Sequence, residues 1–221
     1  MNLQHPTLEM LRQVAQGVSD RTTTLIVTAH AHFCTQCRDA IAAERDFYFD
    51  DMVASFPASI DQPLPAAELG ILSNIHTQLP DQLPINKTEA PNEWHLPDEI
   101  LDESPPPHQW EWQSFWPSQG KVARLASDAG GDYHLYLGYI EQGSALPSHV
   151  HHHEEQTLVL RGEYISAGQV FQPGQWASME AGKTHSPAAS DKGPCFCLIR
   201  AHGKGYKFLG RASWRNVFLP R

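Results

Sequence analysis

The sequence predicts a multidomain α plus β protein. A small, zinc-held four-helix domain over residues 1–80 precedes an antiparallel β-barrel over residues 109–221, with an acidic, proline-rich linker over 81–108 between them. Three observations carry this. Before Pro80 the apolar residues recur with the 3.6-residue period of amphipathic helices. After His108 the period drops to two, and turn signals recur about every 8 to 12 residues. Between the two, prolines at 80, 84, 91, 97, 105, 106 and 107 stand among acidic residues with no period at all, which describes a semi-rigid, extended spacer.

Thr7 is placed to cap a first helix with an apolar stripe of Leu8, Leu11, Val14, Ala15 and Val18, and Gly17 to end it. Ser19 or Asp20 caps a second helix through Leu25, Ile26 and Ala29 to His30. Cys34 to about Val53 reads as a third helix and Ala66 to Leu79 as a fourth, separated by three prolines between Ser55 and Pro65. Four short helices bury little core. A bound metal would matter here, because its binding energy becomes folding energy.

The ligands for such a metal are at hand. His30, Cys34 and Cys37 follow each other at i, i+4 and i+7, one face of a continuous helix, and imidazole with thiolate is the set zinc prefers. A structural zinc takes four ligands, and His5, beside Pro6 at the start of the first helix, is the natural fourth. A redox-active or merely buried Cys-x-x-Cys is the plainer alternative.

In the rear half, Trp110, Trp112, Phe115 and Trp116 open an aromatic strand region, and Tyr133–Ile140 and Gln156–Leu160 alternate or run apolar. Turns recur at Gly130-Gly131, Glu141-Gln142-Gly143, Arg161-Gly162 and Gln172-Pro173-Gly174. Trp94 and Leu96, isolated in the linker, are expected to dock on a neighbouring surface. Cys195 and Cys197 share one face of a strand and read as small buried core residues. His149 and His151, two apart on a strand, point to the same side. A carboxylate and a third histidine from neighbouring strands would complete a site suited to Zn, Mn, Fe, Ni or Cu.

The net charge of −9 is unevenly placed. Residues 1–80 carry 4 basic and 9 acidic side chains, residues 81–108 carry 1 and 7, and residues 109–221 carry 11 and 9. An acidic front half is a poor nucleic-acid binder but suits a basic surface on another protein. No run of about 18 apolar residues and no leader-like N-terminus is present, so a cytoplasmic protein without membrane contact is expected.

Gly143-x5-His149-x-His151-x3-Glu155-x6-Gly162 resembles the first cupin motif over its whole length. Gly174-x5-Glu180-x-Gly182-x2-His185 resembles the second, with Glu180 where that family has proline and Ala189 where it often has asparagine. The resemblance implies His149, His151, Glu155 and His185 as ligands of a divalent transition metal; His152, His153 and Glu154 are extra and read as a solvated turn, with substitution by His153 or Glu154 through a register shift as the alternative.

The His5/His30/Cys34/Cys37 pattern followed by the cupin motifs resembles, over nearly the entire chain, the ChrR-type zinc-binding anti-sigma factors. That resemblance implies a regulator without catalytic residues, whose zinc-held helical domain sequesters an extracytoplasmic-function-class sigma factor. The cupin would be needed to respond to singlet oxygen or peroxide, and a homodimer through it stays open. A metal-dependent cupin enzyme, such as a dioxygenase of small aromatic or keto compounds, is the alternative. A Cys34/Cys37 thiol–disulfide switch that ejects zinc is a third.

Overall fold

The computed structural model describes residues 5–55, 94–115, 118–203 and 206–210. The chain divides into two compact units, Met1–Asp46 with Trp94–Arg221, and Phe47–Glu93. The fourth helix expected over 66–79, and the ends at Trp116 and 211–221, lie outside the described residues.

Helix α1 (Leu8–Ala15) starts where Thr7 Oγ1 accepts the Met10 amide at 3.2 Å, and its Leu11 is buried. Gly17 takes the left-handed conformation at φ +69° that ends the helix. Helix α2 (Arg21–Phe33) is capped by Asp20, which accepts the Thr23 amide at 2.9 Å and the Thr22 and Thr23 hydroxyls at 2.6 Å. Burial pushes the Asp20 carboxyl up, but the Thr22 and Thr23 hydrogen bonds and Arg200 outweigh it and hold the group down at about 2. Helix α3 (Thr35–Ser55) is tied to α1 by an Arg12–Glu44 pair at 3.2 Å.

Within the stretch read as a linker, helix α4 (Asp98–Glu103) buries Ile100, and Pro107–Gln109 forms a 3-10 turn. Pro97 fixes the entry to α4, and Asp98 and Glu99 suit the positive end of its dipole. Trp94 packs against Trp110 with ring centroids 4.7 Å apart and planes tilted by 59°, and Leu96 is buried, so both do dock within the chain.

Twelve strands follow among the described residues: β1 (Trp112–Ser114), β2 (Gly120–Ser127), β3 (Tyr133–Ile140), β4 (His149–His151), β5 (Glu155–Arg161), β6 (Tyr164–Ser166), β7 (Gln169–Phe171), β8 (Trp176–Met179), β9 (Thr184–His185), β10 (Ala188–Ala189), β11 (Cys195–His202) and β12 (Tyr206–Phe208). All pairings are antiparallel. Instead of one continuous barrel, the described strands form a six-stranded sheet, β1-β2-β3-β11-β5-β8, and two three-stranded sheets, β10-β6-β7 and β12-β4-β9. Pro147 and Pro187, just ahead of β4 and β10, lack the amide that would carry the ladders further.

The six-stranded sheet has two differently employed faces. Outward, Leu125, Leu135, Leu137, Leu158, Trp176, Phe196 and Leu198 form one core with Leu11, Leu25, Ile26, Ala29 and Ile100 of the helices. Inward, Ile140, Val159, Tyr164, Phe171, Cys195 and Cys197 form a second core. Burial on both sides explains the near-continuous apolar run of β5 and β11. No helix among the described residues is long and apolar enough to cross a membrane.

Candidate metal centres

The front cluster forms where three chain segments meet. His5 precedes α1, His30 lies in the last turn of α2, and Cys37 in the first turn of α3. Cys34 occupies the C-cap of α2 in extended conformation (φ −118°, ψ 103°), so the expected division between the second and third helices falls there, and the three residues do not share the face that a continuous helix would give them. The break folds Cys34 and Cys37 around the end of α2 rather than along one stripe. One donor atom from each of the four residues lies within 4.8 Å of every other. His5 Nδ1 stands 3.6 Å from Cys34 Sγ and 3.4 Å from Cys37 Sγ. Donors bonded at about 2.0–2.3 Å around a tetrahedral ion stand about 3.3–3.8 Å apart, so these separations suit zinc.

His30 is 1 % exposed, and neither of its ring nitrogens has a hydrogen-bond partner. Such a group costs stability unless something else satisfies it, which is the strongest sign that this donor set fits a metal. Burial, then His5, pulls His30 down to about 4, so the ring is neutral and its lone pair free at neutral pH. Burial and Cys34 push the Cys37 thiol well up; an ion there would reverse that, since a coordinating thiol is deprotonated. Behind the cluster stands Trp176, edge-on to His30 at 5.8 Å. Gly174 takes φ +84°, and a Cβ there would come within 2.8 Å of Phe33 Cβ, so the β7–β8 turn admits the end of α2 only because it carries glycine.

The second cluster lies inside the cup formed by the three sheets. β4 is flanked by β9 and β12, with His149 opposite His185 and Phe208, and His151 opposite Tyr206. The Nε2 atoms of His149, His151 and His185 converge, His185 lying 3.0 Å from His149 and 2.8 Å from His151. The outer nitrogens are held from behind. His149 Nδ1 meets the Pro147 carbonyl at 2.8 Å, which only accepts, so Nδ1 carries the proton and Nε2 offers its lone pair. His185 Nδ1 meets Ser166 Oγ at 2.8 Å. Burial pulls His149 down, His151 to about 3 and His185 to about 2, leaving three neutral donors.

Glu155 stands slightly apart from this triad, with its oxygens 3.7 Å from His151 Nδ1 and 4.0 Å from His185 Nε2. Burial pushes its carboxyl up to about 8. His152, His153 and Glu154 are exposed, as expected of a turn. A cavity of about 770 Å³ opens beside His149 and Glu155, walled by Tyr136, Tyr206, Phe208 and Ile199. Its size is that of small-molecule sites, and its lining also carries polar and charged groups such as Lys121, Arg124 and His134. Cys195 and Cys197 are buried, with their sulfurs 3.4 Å apart.

Ser166, Pro147 and Trp176 escaped the sequence reading. None has a motif of its own, and each is found only through the strand or turn that brings it to a histidine.

Residues 104–204 match the family described as the ChrR cupin-like domain. Over 224 aligned residues the chain is 25 % identical to the anti-sigma-E factor ChrR of Cereibacter sphaeroides, covering 98 % of this chain and 94 % of that protein. Among solved structures, ChrR in the crystal structure of Rhodobacter sphaeroides SigE in complex with the anti-sigma ChrR superposes with a TM-score of 0.65. It is 24 % identical and covers 90 % of this chain and 98 % of that one, a likeness of fold. An acetylacetone dioxygenase from Acinetobacter johnsonii, 12 % identical over 51 % of this chain and 84 % of its own, reaches a TM-score of 0.42, too slight a likeness to argue from. A helical front followed by antiparallel cupin-like sheets, with this alignment over nearly the whole chain, makes the protein similar to ChrR.

Proposed function

We propose that the protein is an anti-sigma factor with two metal centres. Its acidic helical front, ordered by zinc on His5, His30, Cys34 and Cys37, covers the basic surfaces of an extracytoplasmic-function-class sigma factor. The cup, holding a divalent transition metal such as Zn, Mn, Fe or Ni at His149, His151, His185 and Glu155, makes release answer to an oxidative signal, singlet oxygen or a peroxide. The observation that carries this reading is the buried, unpartnered His30 imidazole among three further zinc-type donors, in a chain aligned almost end to end with an anti-sigma factor.

Zinc at the front would cross-link the segment before α1, the end of α2 and the start of α3. The remaining work belongs to the chain. Helix α3 carries exposed Asp39, Asp46, Asp50 and Asp51, which complement a basic partner. It also leaves Phe47 73 % and Phe49 58 % exposed, an apolar offering that isolated globular surfaces seldom make. In the cup, Pro147 and Ser166 hold the His149 and His185 rings in place, and Tyr136, Tyr206 and Phe208 wall the side where a small organic molecule would enter. The relative aligned over 98 % of this chain is an anti-sigma factor, which supports a regulator rather than an enzyme.

The test is co-expression of the full chain with an extracytoplasmic-function-class sigma factor of its host, followed by gel filtration and metal analysis. A one-to-one complex is expected, and it is lost in Cys34→Ser. A wild-type chain that leaves every such factor uncomplexed overturns the anti-sigma reading; a Cys34→Ser chain that still binds fully overturns the role of zinc.

A further inference from the structure

Strands β5 and β11 belong to two compartments at once. Side chains alternate along a strand, so Glu155 and Val159 of β5, and Cys195, Cys197 and Ile199 of β11, line the cup, while Gln156, Leu158, Phe196, Leu198 and Arg200 face the helices. Arg200 is the polar exception on that outer face. Its side chain is only 10 % exposed, and its guanidinium reaches three partners on two elements, the start of α2 and strand β5. Nε donates to Thr22 Oγ1 at 3.0 Å, Nη2 to Asp20 Oδ2 at 2.9 Å, and Nη1 to Gln156 Oε1 at 3.0 Å. The guanidinium plane also lies 3.9 Å over the Tyr133 ring. A lysine, with one compact ammonium, could not serve these directions together.

We propose that Arg200 is a positioning residue that couples the two candidate metal centres, clasping the first turn of α2 to the strand residue next to Glu155. Gln156 follows Glu155 directly, so a shift of β5 at the cup moves the acceptor of Nη1. Asp20 and Thr22 open α2, a 13-residue helix about 20 Å long whose other end carries His30 and Cys34. Displacement at one end of a rigid element is delivered at the other. Arg200 is buried while Asp20 keeps about a third of its side chain exposed, so a guanidinium that loses these partners is left under-satisfied, and the clasp favours two discrete arrangements, closed or open, over gradual loosening. This inference rests on the reading of the cup as the sensing part, but the clasp stands independently of which ion occupies either centre.

The experiment is a double-mutant cycle in the full-length chain, read by amide hydrogen exchange of the α2 peptides under native conditions. His185→Ala, which perturbs the cup, is expected to speed α2 exchange about tenfold in the otherwise wild-type chain, a typical allosteric coupling. On an Arg200→Met background the same change should alter exchange less than about twofold. Asp20→Asn, which keeps a capping side chain, repeats the cycle if Arg200→Met folds poorly, and Glu155→Gln replaces His185→Ala likewise. Equal acceleration on both backgrounds would make Arg200 a plain staple and overturn the proposal, as would an α2 that ignores the cup in the wild-type chain. Zinc content and sigma-factor capture of the same samples report separately on the proposed function, and zinc is held saturating in every exchange sample so that only the clasp differs between backgrounds.

Discussion

Acidifying the metal-stripped protein should weaken it sharply between pH 7.5 and 5, and the size follows from the buried histidines. An unfolded histidine takes up its proton near 6.5, whereas His30, His151 and His185 are held at about 4, about 3 and about 2 in the fold. A folded value below the unfolded one means stability is lost as pH falls through the unfolded value. Each of the three then costs about 2 kcal/mol over this window, about 6 together. Glu155 works against them. Its folded value of about 8 lies above the unfolded 4.5, so its contribution is restored as pH falls and returns about 3 kcal/mol. The net loss is about 3 kcal/mol, to which His149, also pulled down by burial, adds in the same direction. With a urea slope of about 2–3 kcal/mol per molar, the unfolding midpoint should fall by more than about 1 M between the two pH values in the presence of EDTA. A midpoint that stays level or rises would refute the claim that these imidazoles are buried and neutral.

Two further expectations concern the same sites. The purified full chain should hold two metal ions, falling to one in His30→Ala and to one in His185→Ala, as measured by mass spectrometry of the metals; a shared loss of both ions in either variant would contradict two separate centres. Gly174→Ala should destabilise by about 2–3 kcal/mol, from left-handed strain and the encounter with Phe33. Gly168→Ala at φ +76°, with nothing within 4 Å, should cost only the strain, and equal melting temperatures for the two variants would remove the Phe33 contact from the account.

Much of this arrangement could be read in the residues. Thr7, Gly17 and Asp20 mark helix ends through short-range chemistry, and β3 falls on Tyr133–Ile140 as its alternation predicts. His30, Cys34 and Cys37 are close in sequence, so their meeting and the division between two helices were legible, although the extended conformation of Cys34 was not. His185 was reachable through the cupin spacing alone. Helix α4 was hidden because its six residues are too few to show a period among prolines. Least legible was the Asp20–Arg200 clasp, whose members are 180 residues apart and carry no motif. The join between helices and sheet depends on which face of β11 each side chain takes, and that becomes visible only when the pairing partners are known.

The strand Cys195–His202 divides its eight positions between two tenants, and neither can renovate alone. A bulkier residue at Leu198 presses on the helices, and one at Cys197 narrows the cup. Such a strand should therefore drift more slowly than its neighbours during evolution, and a protein pared down to its front segment would lose the wall against which Ile26 and Ala29 rest.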